Sequence, residues 1–100
     1  MNGDVPSEFT SAAEVRALFN SEILPAVAEG RVREVVLEEA PASQRSNQPR
    51  RTRSQILGYF EGRTMVARAH RFVSLDETIG ATGLPDPKWI LHEGVILLVD

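Results

Sequence analysis

The residues best suited to chemistry in this chain are arginines, a tyrosine and a histidine in its middle part. Residues 45–71 contain seven arginines and one acid, whereas the segments on both sides are acidic and the whole chain has a formal net charge of −3. An arginine guanidinium binds phosphate through two parallel hydrogen bonds, a tyrosine ring stacks on a base, and histidine transfers protons near neutral pH. This basic region therefore indicates a surface that binds an anion or RNA.

A predicted β-hairpin places part of the basic region on one face of a sheet. Residues 54–60 and 63–73 are typical of strands, and Glu61 and Gly62 between them predict a two-residue turn. In the register set by that turn, Gln55 pairs with Arg68, and alternation divides the side chains between two faces. The face expected to cover the helix holds Ile56, Phe60, Met65, Ala67, Ala69 and Val73. The opposite face holds Arg53, Gln55, Leu57, Tyr59, Val66, Arg68 and His70.

The predicted binding site joins that second face to a neighbouring loop. Its members, each with a cationic or hydrogen-bonding side chain, are Arg45, Arg50, Arg51, Arg53, Gln55, Arg68 and His70. The candidates for catalysis, in a ribonuclease that works without a metal, are His70, Tyr59 and Arg68. The alternative interpretation is that these arginines pair with acids of the chain itself, namely Glu34, Glu38 and Glu39. Such cross-strand ion pairs are common and contribute little to stability.

Metal and cofactor chemistry has no support in the sequence. The chain has no cysteine, and its two histidines, His70 and His92, have neither a second histidine nor a carboxylate at metal-ligand spacing. Residues 80–83 (GATG) lack the lysine and the flanking strand and helix of a phosphate-binding loop. We therefore expect no metal and no cofactor.

The first element expected to position the site is a helix. Ser11 followed by Glu14 has the spacing of a capping box, and apolar residues then recur at helical spacing. This pattern predicts an amphipathic helix over about 12–29 that ends at Gly30, with a kink or break at Pro25.

The remaining elements complete an α+β domain. Strands are expected at 32–39, in the hairpin, in a short segment at 78–81, and at 95–99. Asp86 and Pro87 are typical of the cap and first position of a short helix, in which Trp89 is expected to anchor the core or, alternatively, an interface. The predicted fold is one N-terminal amphipathic helix packed on an antiparallel sheet of four to five strands, with the short helix before the last strand.

The chain of 100 residues has the length of one domain. Residues 1–9 are expected to form a flexible N-terminal tail and residues 10–100 the domain, with a long arginine-bearing loop at 40–52. The N-terminus lacks the features of a signal peptide, and the longest apolar run, 95–99, is far shorter than the roughly 20 residues that span a bilayer. We therefore expect a soluble cytoplasmic protein with no membrane partner.

Two functions agree with these patterns. The favoured hypothesis is a non-catalytic protein-interaction or regulatory module that binds a protein partner or forms a homodimer. The alternative is an RNA-binding or RNA-cleaving protein that uses the cationic sheet face. A helix on an antiparallel sheet with such a face is similar in architecture to small bacterial toxins that act on RNA, although architecture alone does not fix function. The acidic net charge favours the first hypothesis, because dedicated nucleic-acid-binding domains tend to be basic.

Overall fold

A computed structural model describes residues 5–41, 52–73 and 85–100 of the chain. Its elements in chain order are β1 (Ser7–Thr10), α1 (Ala12–Leu18), a π-helical turn (Phe19–Ile23), α2 (Leu24–Ala28), β2 (Arg33–Pro41), β3 (Arg53–Glu61), β4 (Thr64–Val73), β5 (Asp86–His92) and β6 (Val95–Val99). The α+β class is therefore confirmed. Residues 1–4, the strand predicted at 78–81 and most of the loop predicted at 40–52 lie outside the described residues.

The sheet has six strands in the order β1-β6-β5-β4-β3-β2 and is mixed, which corrects the prediction of four to five antiparallel strands. Strand β1 runs parallel to β6, and the other neighbours are antiparallel. The pairing of β1 extends at both ends, since the Ile96 amide donates to the Pro6 carbonyl at 2.9 Å and the Asp100 amide donates to the Thr10 carbonyl at 2.8 Å. Part of the predicted tail is thus an edge strand, and the helix follows it.

The short helix predicted before the last strand is strand β5 (Asp86–His92). Strand β5 is hydrogen-bonded on both sides, to β4 and to β6, and this pairing outweighs a local preference for a helical cap. Pro87 fits in the strand because the register with β4 shifts between Arg68 and Ala69, and bulges are among the few places where a sheet tolerates a proline.

The helical segment begins as predicted, because the Glu14 amide donates to the Ser11 hydroxyl at 3.1 Å. It ends at Ala28, and Gly30 follows with a φ of +83°, a conformation that glycine adopts without strain. The proline in this segment is accommodated by the π-helical turn, in which the Leu24 amide bonds to the Phe19 carbonyl. A π-helical turn is one of the recognised causes of local irregularity in helices.

One stripe of the helical segment packs on one face of the sheet, which we call the covered face. The buried residues of the stripe are Val15, Phe19, Ile23 and Ala26, and the buried sheet residues in the same cluster include Leu57, Tyr59, Ala67, Ala69, Ile90 and Leu97. The rings of Phe19 and Tyr59 meet edge to face, with centroids 5.1 Å apart. Burial of one large apolar side chain contributes about 1.5–3 kcal/mol, so this cluster is the main source of stability in the fold.

Candidate functional site

The hairpin register differs from the predicted one and divides the predicted site between two faces. Glu61 pairs with Thr64, so the turn consists of Gly62 and Arg63, and a bulge follows between Tyr59 and Phe60. Gly62 has a φ of +60°, which suits the first position of a tight hairpin turn. The displaced turn changes the register by two residues and the bulge changes it by one, so beyond the bulge the register differs from the predicted one by three residues.

Because three is odd, the residues of β4 beyond the bulge change face relative to β3, whereas Met65 stays on the face of Phe60 as predicted. Gln55 pairs with Arg71 instead of Arg68, and Arg68 pairs with Gly58. Gln55 and Tyr59 therefore lie on the covered face, whereas Arg68 and His70 lie on the opposite one. The prediction that these residues share one face is wrong.

On the covered face, beyond the helix, six side chains form a continuous series of polar contacts that we call the polar chain. Its members, in order of contact, are Arg53, Glu39, Gln55, Arg71, Glu34 and Tyr59. Its two shortest hydrogen bonds join the Tyr59 hydroxyl to Glu34 Oε2 at 2.6 Å and Gln55 Nε2 to Glu39 Oε2 at 2.7 Å. Two arginines of the basic region are thus paired with acids of β2, as the alternative interpretation held.

Tyr59 illustrates what the polar chain does chemically. Burial raises the pKa of its hydroxyl, and the hydrogen bond to Glu34 raises it further. The phenol therefore stays protonated near neutral pH and donates to Glu34, whose other carboxylate oxygen accepts from Arg71 Nη1 at 3.2 Å. Its ring is fully buried against Phe19 and cannot stack on a base. Glu34 of β2 is thus bonded to β3 through Tyr59 and to β4 through Arg71.

The opposite face carries the other two described members of the predicted site. Arg68 Nη2 lies 4.0 Å from Glu38 Oε2, and both side chains are exposed, so this ion pair contributes little. His70 shares a hydrogen bond of 2.7 Å with the Ser54 hydroxyl and meets the ring of Phe72 edge to face. Burial, reinforced by the charge of Lys88, lowers the pKa of His70. The imidazole is therefore mainly neutral at physiological pH.

Three members of the predicted site, Arg45, Arg50 and Arg51, lie outside the described residues. Their role as anion ligands stays a prediction, as do the roles of the residues that the structure does place.

The face opposite the helix, which we call the uncovered face, is dominated by apolar side chains that the sequence did not single out as a group. By strand alternation and register they are Phe9 on β1, Val35 and Leu37 on β2, Ile56 and Phe60 on β3, Met65 and Phe72 on β4, Trp89 and Leu91 on β5, and Ile96 and Leu98 on β6. Phe9 is 72% exposed and Leu37 38% exposed, and the rest are half-buried. In residues 5–41, 52–73 and 85–100, the only helical segment packs on the other face.

One row of directly paired residues crosses the uncovered face from edge to edge. In sheet order it consists of Phe9, Leu98, Trp89, Arg68, Gly58 and Val35. We call it the cross-strand row. Leu37 and Phe60 lean over its glycine, because a Cβ at Gly58 would lie 3.0 Å from Leu37 Cδ1 and 3.0 Å from Phe60 Cε1. Trp89, expected to anchor the core, instead stands near the centre of this half-exposed row.

The sequence did contain one signal of the uncovered face. Residues 95–99 (VILLV) are apolar at every position, and a strand of this kind has apolar side chains on both faces. The helix of the structure covers one of these faces.

A cavity of about 380 Å³ lies between the helical segment and the end of β4, and its lining includes Arg16, Arg71 and Asp86. The charges of this cavity are already paired. Arg16 Nη2 lies 3.0 Å from Asp86 Oδ1, Lys88 Nζ lies 2.9 Å from Asp86 Oδ2, and Arg71 contacts Glu34. Among the described residues, the charged side chains that line this cavity thus already have ion-pair partners within the chain.

Within the described ranges, no group of three or more histidine and acidic side chains has the arrangement of a metal site. No helix in this part of the chain has both the length and the apolar character needed to cross a membrane. Comparisons with protein-family models, with curated proteins and with solved structures gave no significant match.

Proposed function

We propose that this chain is a non-catalytic protein-interaction or regulatory module whose partner binds the uncovered face. The observation that carries the proposal is the apolar surface itself, which extends from Phe9 on one edge strand to Leu37 on the other. Large contiguous apolar patches on a protein surface mark interaction sites. Trp89 lies near its centre, and tryptophan at the centre of an interface commonly provides a large share of the binding energy.

The distribution of charge supports the same function. Arg53 and Arg71 are engaged by Glu39 and Glu34 on the covered face, so they do not converge on an open surface where phosphate would bind. These two arginines therefore help to fix β2 against β3 and β4. The apolar surface of the uncovered face, by contrast, is not buried by the described part of the fold.

RNA binding is a second candidate because the uncovered face also carries cations beside aromatic rings. Arg68 is the direct neighbour of Trp89 in the cross-strand row, and the Arg33 guanidinium lies 5.8 Å from the centre of the Phe60 ring. Single strands bind such combinations of stacking rings and positive charge. Most of the surrounding side chains are aliphatic, however, and these favour a protein partner.

The test uses two neighbouring residues of β2 that point to opposite faces. Val36 is 46% exposed and lies on the covered side, and Leu37 is 38% exposed and lies on the uncovered face. We expect the immobilised wild-type chain and the Val36→Asp variant to bind the same protein, either a second copy or another protein of its native cell. The Leu37→Asp variant should lose at least tenfold in affinity for it.

Equal binding by both variants, or binding of no protein at all, would contradict the proposal. RNA is tested with the same variants in a shift assay at low and at high salt. A complex that weakens steeply with salt and is lost in Arg68→Ala would establish the second candidate instead.

A further inference from the structure

We infer that the partner of the uncovered face is a second copy of this chain, packed face to face about a twofold axis that runs parallel to the strands. This inference rests on the proposed function and names its partner. Two sheets that pack in this way lie about 10 Å apart with their strands roughly aligned, so residues near the centre of the two faces meet directly. The question is whether the uncovered face is complementary to itself.

The cross-strand row is self-complementary under this rotation. The axis exchanges the two ends of the row, so that β5 of one copy lies over β4 of the other and β6 lies over β3. Trp89 then faces the partner's Arg68, which is a favourable cation–π arrangement. Leu98 lies over the partner's Gly58, where it meets the apolar side chains of Leu37 and Phe60 that lean over this glycine.

Arg68 is available for this contact. Its only described charged neighbour is Glu38 at 4.0 Å, and 44% of the Arg68 side chain is exposed. An ion pair this long and this solvated holds the guanidinium weakly. The arginine can therefore turn toward a ring on the opposing sheet at little cost.

The two edges of the sheet complement each other in the same way. Phe9 and Leu37 are the two most exposed large apolar residues of the uncovered face, and they belong to opposite edge strands. The rotation that aligns the two rows places Phe9 of each copy over Val35 and Leu37 of the other copy. Both protruding side chains are thereby covered by apolar surface.

The size of the face fits a stable dimer. Six strands about 4.8 Å apart give a width of roughly 24 Å, and about seven residues per strand give a length of roughly 24 Å. The footprint is therefore on the order of 600 Å², close to the ~800 Å² that each partner buries in a typical specific interface.

The experiment measures the mass and the tryptophan emission of the full chain over a range of concentrations. Sedimentation equilibrium should give twice the chain mass of 11.0 kDa. Trp89 is the single tryptophan, so its emission should shift to shorter wavelength as the dimer forms. Leu37→Asp and Phe9→Asp should each raise the dissociation constant at least tenfold and abolish the shift. Val36→Asp should change neither property.

Each other outcome overturns the inference in an identifiable way. A wild-type chain that stays monomeric up to about 1 mM excludes a second copy, because only binding weaker than about 4 kcal/mol would escape detection. The proposed function survives that result if the wild-type chain still captures another protein that Leu37→Asp does not. A dimer that persists in Leu37→Asp and Phe9→Asp, with unchanged Trp89 emission, forms through another surface. Unchanged circular dichroism shows that the variants remain folded.

Discussion

Both faces of this sheet carry many apolar side chains, but the helical segment buries only one of the two faces. On the covered face, Leu57, Tyr59 and Ile90 are completely buried by a single helical segment. On the uncovered face, residues of the same types on the same strands remain half-exposed. Strands that face water on one side usually alternate between apolar and polar residues, whereas β6 (VILLV) is apolar at every position. The sheet therefore carries more apolar surface than the described part of the fold buries.

The polar groups of the two faces differ in the opposite sense. The covered face ends in the polar chain, where arginines and acids alternate at hydrogen-bonding distance. The charges on the uncovered face are loosely held, as the 4.0 Å separation of Arg68 and Glu38 shows. Polar groups on the covered face thus fix the strands, whereas Arg68 on the uncovered face can turn toward a partner.

The strongest test of this comparison replaces one phenylalanine on each side. Phe19 is completely buried against Tyr59, so Phe19→Ala should lower the free energy of unfolding by about 3–5 kcal/mol. Phe9 is 72% exposed, and Phe9→Ala should change it by no more than about 0.5 kcal/mol. Both values come from urea unfolding at a concentration low enough to keep the chain monomeric. Similar losses in the two variants would refute the assignment of the faces.

A smaller effect is expected from the two hydroxyl groups that bond across strands. Tyr59→Phe removes the donor to Glu34 Oε2 at a half-buried site and should cost about 1–2 kcal/mol of unfolding free energy. Ser54→Ala removes the partner of His70 on the uncovered face, where solvent can replace it, and should cost less than about 1 kcal/mol. If Ser54→Ala proved the more damaging in urea unfolding, the polar chain would not be the structural element that we describe.

Much of the fold follows from local signals in the sequence. The Ser11 cap, the apolar stripe of the helix and the Gly30 stop are properties of adjacent residues, and so are the two strands of the hairpin. Strands β1 and β5 could not be found in this way. The first has four residues and the second begins with Asp86 and Pro87, so each is a strand only because of the neighbours with which it pairs.

The site was harder to predict because it depends on register. A turn displaced by one residue at each end and a single bulge moved Arg68 and His70 to the face opposite Gln55 and Tyr59. Neither the displaced turn nor the bulge has a strong local signal in the sequence, and together they change every cross-strand neighbour in the hairpin. The pairing of the arginines with β2 was foreseeable from charge alone. The uncovered face required knowledge of where the helix lies.

The most sensitive test of the comparison uses the two histidines, because one lies on each face and their pKa values shift in opposite directions. His92 Nδ1 lies 3.0 Å from Glu22 Oε1 of the helical segment, and this hydrogen bond raises its pKa above the ordinary value of 6.5, with Glu93 and Glu14 adding to the effect. The protonated form is favoured in the folded state. Its contribution to stability is therefore complete below pH 6.5 and is lost as the pH rises through the folded pKa.

His70 has the opposite sign. Burial lowers its pKa, Lys88 lowers it further, and Asp86 counteracts them in part, so the neutral form is favoured in the folded state. Its contribution is complete above pH 6.5 and is lost as the pH falls toward the folded pKa. A proton NMR titration of the two imidazole signals, assigned with His92→Gln, should place the His92 midpoint above 6.5 and the His70 midpoint below it. Coinciding or reversed midpoints would contradict the two environments. Dimerisation through the uncovered face would desolvate His70 alone, so its midpoint should fall further as the protein concentration rises, while that of His92 stays constant.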